Sequence, residues 1–159
     1  MADLEGKSVS STALNENVEI VFPNDLNPSG SLFGGRVLES CDRICAIVAK
    51  RHSRREVVTL AADHVRFRAP AEKGHLLIYR ASVNRTWTTS MEIGIRVEAE
   101  NPLNGEKKHI LTAFFTFVAI GTDGKPIKIA PVIPESKDEI RRYREADIRR
   151  QKRLFTKEV

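Results

Sequence analysis

The chain has 159 residues, 41% hydrophobic and 30% charged, with a formal net charge of +5. These proportions fit one domain with a single core and exclude disordered, collagenous and membrane-spanning classes. The longest nearly apolar run, Ile110 to Ile120, is broken by Thr112 and Thr116 and falls short of the ~20 residues that cross a bilayer, so it is read as a strand. Residues 1–13 are polar and expected to be disordered. They lack the basic start and apolar stretch of a secretory leader, which leaves the cytoplasm as the expected compartment. From Leu14 to Phe22, the alternation of Val18, Ile20 and Phe22 predicts a strand that Pro23 ends. Turn formers fill Asn24 to Ser31, and Phe33-Gly34-Gly35 opens a helix whose apolar residues Val37, Leu38, Cys41, Ile44, Cys45 and Val48 recur at helical spacing.

Beyond Arg54 and Arg55 the period changes. Four further strands are predicted at Val57–Val65, Leu76–Val83, Met91–Ala99 and His109–Ile120, separated by turn signals that include Pro70 to Gly74 and Asp123-Gly124-Lys125-Pro126. One long buried helix among five strands implies an α+β domain over 14–135 in which an antiparallel sheet covers the helix. The exposed edges of such a sheet call for a second copy, so a homodimer is expected.

The tail, 136–159, is different in kind. It holds nine Lys or Arg against five acids and so carries +4 of the +5 charge. Acids come early and bases late, which favours a helix through its macrodipole. Aromatic residues for base stacking are sparse there, so a solvated or oligomer-packing helix is preferred over RNA contact or an anion clamp, and no nucleic acid is expected as a partner.

On a helical wheel at roughly 100° per residue, Asp42 stands at the border of the apolar face beside Gly35, Ala46 and Ala49. A carboxylate in a lane of small residues is reachable and partly desolvated, as a general base or nucleophile requires; pairing with Arg43 or another cation is the alternative. Gly34 and Gly35 leave backbone N–H groups at the helix start that could hold an oxyanion, or they serve only a close-packed turn. Asp42 lies roughly 10 Å along the axis from Gly35, too far for both to act on one atom unless another segment folds in, so a composite site is expected. Cys41 and Cys45, four apart on one helix, are read as core residues, with neither a disulfide nor a metal set.

The string Asp25-x-Asn27-x-x-Gly30-x-x-Phe33-Gly34-Gly35, with Asp42 beyond it, resembles the hotdog-fold acyl-CoA thioesterases of the bacterial YciA and mammalian brain acyl-CoA hydrolase type. So do Val58-Thr59-x-Ala61, Phe67-x-x-Pro70-x-x-x-Gly74, Thr89-Ser90-Met91-Glu92-Ile93, Ala113 to Val118 and Asp123 to Pro126, in that order. The resemblance spans Val18 to Glu135. It implies a five-stranded antiparallel sheet around one long helix, paired into double hotdogs and assembled as a homohexamer, a trimer of dimers. It implies hydrolysis of an acyl-CoA to a free acid and CoA without metal or cofactor, the acyl-CoA being the partner. Asp42 then matches the catalytic carboxylate, Asn27 an asparagine from the opposite protomer, Gly34 and Gly35 the carbonyl-polarising glycines, and Thr59 an orienting residue. Arg85, Thr89 and Ser90 fall where the family holds CoA. Arg85 suits a bidentate grip on phosphate, and a solvent-facing strand-end arginine is the alternative. A non-catalytic hotdog that senses acyl-CoA or a nucleotide is the competing function. A dehydratase is disfavoured because its pattern rests on histidine, and His52, His64, His75 and His109 all follow the glycine-rich helix start.

Overall fold

A computed structural model describes residues 4–156. In chain order the elements are β1 (Lys7–Ser8), β2 (Leu14–Ile20), a short 3-10 turn at Pro23–Asp25, α1 (Gly34–Ser53), β3 (Glu56–Phe67), β4 (Leu76–Thr86), β5 (Ser90–Glu100), β6 (Lys107–Ile120), β7 (Val132–Ile133) and α2 (Lys137–Phe155). The main sheet is antiparallel with order β2-β4-β5-β6-β3, which puts β2 and β3 at its edges. This is the hotdog architecture that the family resemblance implies.

Alternation along the central strands creates two unlike faces. Ile93, Ile95, Val97 and Ala99 of β5, with Leu111, Ala113, Phe115 and Phe117 of β6 and Leu77, Tyr79, Ala81 and Val83 of β4, are buried toward α1. Each large side chain so removed from water contributes about 1.5–3 kcal/mol before conformational entropy is counted. From the other side of the helix, Val37, Cys41, Ile44, Cys45, Val48 and Ala49 complete this core. Burial, with Glu19 and Asp42 nearby, pushes the Cys41 thiol up to about 12, and Cys45 is shifted the same way, so both act as small apolar groups. Arg54 ends α1 in the left-handed conformation, φ 55°.

The N-terminal expectation is corrected for residues 4–13. β1 pairs in parallel with β7, Val9 is buried and Lys7 Nζ donates to the carbonyl of His52 at 2.6 Å. The partner strand lies 125 residues along the chain (Lys7↔Val132), so no local pattern reveals it. Residues 1–3 lie outside the described residues, as do 157–159 of the tail.

The tail forms the expected helix, but its position was not foreseen. Ser136 and Glu139 build a reciprocal capping box, after which α2 lies across the outer face of its own sheet. Arg149 forks onto Glu92, which is fully buried, with distances of 2.7 and 3.1 Å, and Arg153 reaches Asp63 at 2.6 Å. The Arg149 guanidinium also sits 3.6 Å from the centre of the Phe114 ring, and Arg150 stacks on Trp87. Three of the tail's nine basic side chains, Arg149, Arg150 and Arg153, therefore bind the protein's own sheet and its β4–β5 turn.

Candidate active site

Register decides where Thr59 points. On β3 it pairs with Phe117, an inward-facing residue of β6, and so faces α1. Its hydroxyl donates to Asp42 Oδ1 at 2.8 Å, which joins two of the sequence-predicted residues across the helix–sheet interface. Arg43, the cation considered as a partner for Asp42, instead pairs with Glu39 at 2.7 Å. Among the described residues Asp42 has no salt bridge, and Thr59 is its one side-chain hydrogen-bond partner. Its second carboxylate oxygen is thus available to accept a proton or attack a carbon. Ala49, buried beside it, and the half-buried Ala46 keep the lane narrow in side-chain bulk.

The helix start is shaped by two phenyl rings. Phe33 takes the N-cap position and offers no side-chain acceptor to the first turn, so the N–H groups there remain available to a ligand. A Cβ on Gly35 would lie 2.6 Å from the Phe33 ring, and one on Gly34 3.0 Å from that of Phe67. Glycine thus lets the rings close on the backbone. Phe33 was part of the motif, whereas the packing role of Phe67 depends on β3 returning past the helix start, which no local spacing encodes.

Asn27 organises its own loop. Its Oδ1 accepts from the backbone N–H of Ser29 at 3.0 Å and of Ser31 at 3.2 Å, and its Nδ2 donates to Ser31 Oγ at 3.0 Å. The loop is tied to α1 through Asp25, whose carbonyl accepts from Phe33 N and whose carboxylate pairs with Arg36 at 3.1 Å. Within one chain Asn27 makes no hydrogen bond with Asp42 or Thr59.

Arg85, Thr89 and Ser90 lie at the β4–β5 turn, where Trp87 N donates to Ser90 O. Arg85 is half-buried rather than solvent-facing. Its guanidinium donates to the Tyr143 carbonyl at 3.2 Å, stacks 4.1 Å from the Tyr143 ring and approaches Asp147 at 3.8 Å. The sequence did not reveal this because the partners arrive on α2, 58 residues later. No group of three or more His, Cys, Asp or Glu among the described residues is placed to hold a metal ion. No helix among them is long and apolar enough to cross a membrane.

A family profile described as "Thioesterase superfamily" matches residues 29–106. The chain is 39% identical over 120 residues to the uncharacterized acyl-CoA thioester hydrolase YkhA of Bacillus subtilis, covering 76% of this chain and 70% of that one. It spans 24% of mouse acyl-coenzyme A thioesterase 11 and 28% of mouse acetyl-coenzyme A thioesterase, which it matches at 35% and 33% identity. Among solved structures, an apo-hexameric acyl-CoA thioesterase superposes with a TM-score of 0.94 at 33% identity, over 98% of this chain and 99% of that one. The acyl-CoA hydrolase of Staphylococcus aureus, in complex with butyryl coenzyme A, coenzyme A and coenzyme A disulfide, gives 0.86 at 33% identity, over 93% and 90% of the two chains. The chain belongs to the thioesterase superfamily, among the hotdog-fold acyl-CoA thioester hydrolases.

Proposed function

We propose that this protein hydrolyses acyl-CoA thioesters to a free carboxylic acid and CoA, and that Asp42 is the catalytic carboxylate. The observation that carries the assignment is Asp42 itself, oriented by the Thr59 hydroxyl and left without a cation. In the general-base route Asp42 takes a proton from water, the water oxygen bonds to the carbonyl carbon, and the C–S bond breaks as the sulfur leaves and is protonated to the CoA thiol. In the covalent route the carboxylate attacks the same carbon, the C–S bond breaks as the CoA thiolate leaves and is protonated, and water then opens the resulting anhydride to the free acid and the Asp42 carboxylate. Either route builds negative charge on the carbonyl oxygen, which the N–H groups of Gly34 and Gly35 would stabilise. These steps use water and the protein's own groups and call for no metal or cofactor.

The site is composite. Asp42 and the helix start of one chain are roughly two turns apart, so a second copy brings its Asn27 loop to the Asp42 of the first. The outer edge of β3 fits such a contact: it carries exposed Val58, Leu60, Val65 and Phe67, and among the described residues β6 is its only sheet neighbour. Related structures described as hexameric support further assembly into a homohexamer. Variants of the Staphylococcus aureus enzyme solved with one aspartate, one asparagine and one threonine replaced by alanine involve the same three residue types as Asp42, Asn27 and Thr59. The CoA moiety passes the β4–β5 turn, where the hydroxyls of Thr89 and Ser90 contact it. Arg85, held by Tyr143 and Asp147, supports that turn through α2. The working compartment is the cytoplasm, as for the cytosolic rat relative.

Release of CoA thiol from a panel of acyl-CoAs, acetyl to palmitoyl, tests the reaction. Asp42→Ala should lower turnover by about 10²–10⁴ with the fold intact. Near-wild-type turnover in that variant rejects Asp42. Mixing inactive Asp42→Ala and Asn27→Ala chains should restore part of the activity, and confirmed subunit exchange without recovery rejects the composite site.

A further inference from the structure

Like charges meet on the outer face of the sheet. Phe114 faces α2 there, so Thr112, two residues earlier on β6, points the same way. Arg66 of β3 and Arg96 of β5 pair with Thr112 on its two sides, and Arg80 of β4 pairs with Arg96. One cross-strand row therefore reads Arg66-Thr112-Arg96-Arg80. Like charges directly opposite, as Arg80 and Arg96 are, destabilise a sheet unless an anion neutralises them. Glu98 supplies one carboxylate, but it binds Arg80 closely and stands 3.8 Å from Arg96.

The row runs into a cleft of about 920 Å³ between the sheet and α2, a volume that suits a small molecule. Five cations line it, Arg66, Arg68, Arg96, Arg149 and Lys152, against one carboxylate, Glu145, which Arg141 already holds at 3.1 Å. Arg149 is engaged by Glu92, and among the described residues Arg66, Arg68 and Lys152 have no acidic partner. A cleft walled by one sign of charge concentrates the opposite sign within it. His109 on the same wall responds to that field: burial first, then Arg96 and Arg68, lower its pKa from the ordinary 6.5. Between the cations the Phe114 ring and Ile148, 56% exposed, offer apolar surface. Pairing of two copies along β3 uses that strand's main-chain groups, whereas these side chains project from the face, so pairing leaves them where they are.

We propose that this cleft binds an organic phosphate with at least two phosphate charges, held by Arg66 and Arg96 from the sheet and Lys152 from α2, with its organic part on Phe114 and Ile148. Arg66 and Arg96 lie one strand to either side of Thr112, about 10 Å apart at the backbone, so their long side chains converge on one diphosphate. The sheet separates the cleft from Asp42, which lies on the α1 side. Two sources present this chemistry: a free nucleotide, or the nucleotide end of a CoA held elsewhere in the assembly.

Calorimetry on the full-length protein at low salt, with ADP and CoA as probes, tests the site without turnover. ADP is expected to bind, and Arg66→Gln and Arg96→Gln should each weaken it about 10-fold, the scale of one lost charged hydrogen bond. Both substitutions remove a like charge from a crowded row and should keep or raise the melting temperature. Should either fail to fold, Lys152→Gln, on an exposed position of α2, is expected to weaken binding in the same direction. Failure of ADP and CoA alike to bind, or affinities unchanged in all three variants, overturns the proposal. A free nucleotide is the ligand if ADP still binds under saturating CoA and KM for an acyl-CoA stays within twofold in Arg66→Gln. The nucleotide end of CoA is the ligand if CoA displaces ADP and that KM rises about 10-fold with kcat unchanged. Asp42→Ala should bind ADP as the wild type does, so a failed catalytic assignment leaves this result readable.

Discussion

The two helices have nearly equal length, 20 residues in α1 and 19 in α2, and cover opposite faces of one sheet by different means. Seven residues of α1 are buried, from Val37 to His52, whereas Ala146 is the one buried residue of α2. The inner face is held by apolar packing and the outer face by arginines on acids and rings. Their carboxylates differ accordingly. Asp42, on α1, keeps one hydroxyl partner and no cation, while Glu92, beneath α2, is enclosed by Arg149 and Asn84. The carboxylate proposed for chemistry is left without a cation, and the other is enclosed with its partner.

Removing Glu92 should break this contrast most visibly in stability. Glu92→Ala leaves the Arg149 guanidinium largely buried with no counter-ion and is expected to cost about 3–5 kcal/mol in urea unfolding. Replacing both ends, as Glu92→Leu with Arg149→Met, should return stability to near or above wild type, since the penalty lies in the unpaired charge. A single variant as stable as the double one would show that α2 is not held by this pair.

A smaller effect is expected at the start of α2. Ser136→Ala removes one half of the capping box and should lower unfolding free energy by about 1 kcal/mol. An unchanged denaturation midpoint would mean that α2 is docked by its arginines alone.

The smallest expected effect separates the faces by pH. His52 on α1 is fully buried, with Nε2 against the Ala130 carbonyl at 2.8 Å. Burial, with Lys7 as a lesser cause, lowers its pKa below the ordinary 6.5. A depressed histidine is neutral in the fold and protonates more readily when unfolded. Its contribution is therefore present above pH 6.5 and is lost as pH falls from there toward its folded value. Melting temperature should decline on acidification through that window, and His52→Gln should flatten the decline. The same slope in the variant would assign it to His109, whose pKa burial and the neighbouring Arg96 and Arg68 also lower.

Much of the fold was legible because its pattern is local. Helical spacing from Val37 to Val48 placed α1, and strict alternation from Met91 to Ala99 placed β5 and its inner face. Asp42 stood out because the wheel set it among Gly35, Ala46 and Ala49, and the structure leaves it without a cation. Strand ends were less legible. β3 and β4 each run beyond their predicted limits, to Phe67 and Thr86, because pairing with β6 and β5 carries them past the alternation that marks them in the sequence.

Other features are set by partners far along the chain. The order in residues 4–13 comes from β7, and the enclosure of Arg85 comes from Tyr143 and Asp147. A run of arginines reads as a solvated or binding surface when the acids that neutralise it, Glu92 and Asp63, lie 57 and 90 residues away. By itself the sequence determined the periodic elements, the single core and the place of Asp42 among small residues of α1, since each depends on residues within a few turns or one strand. Only the tertiary structure decided which charges pair and which face α2 covers, because ion pairing depends on distance in space and leaves no periodic trace along the chain.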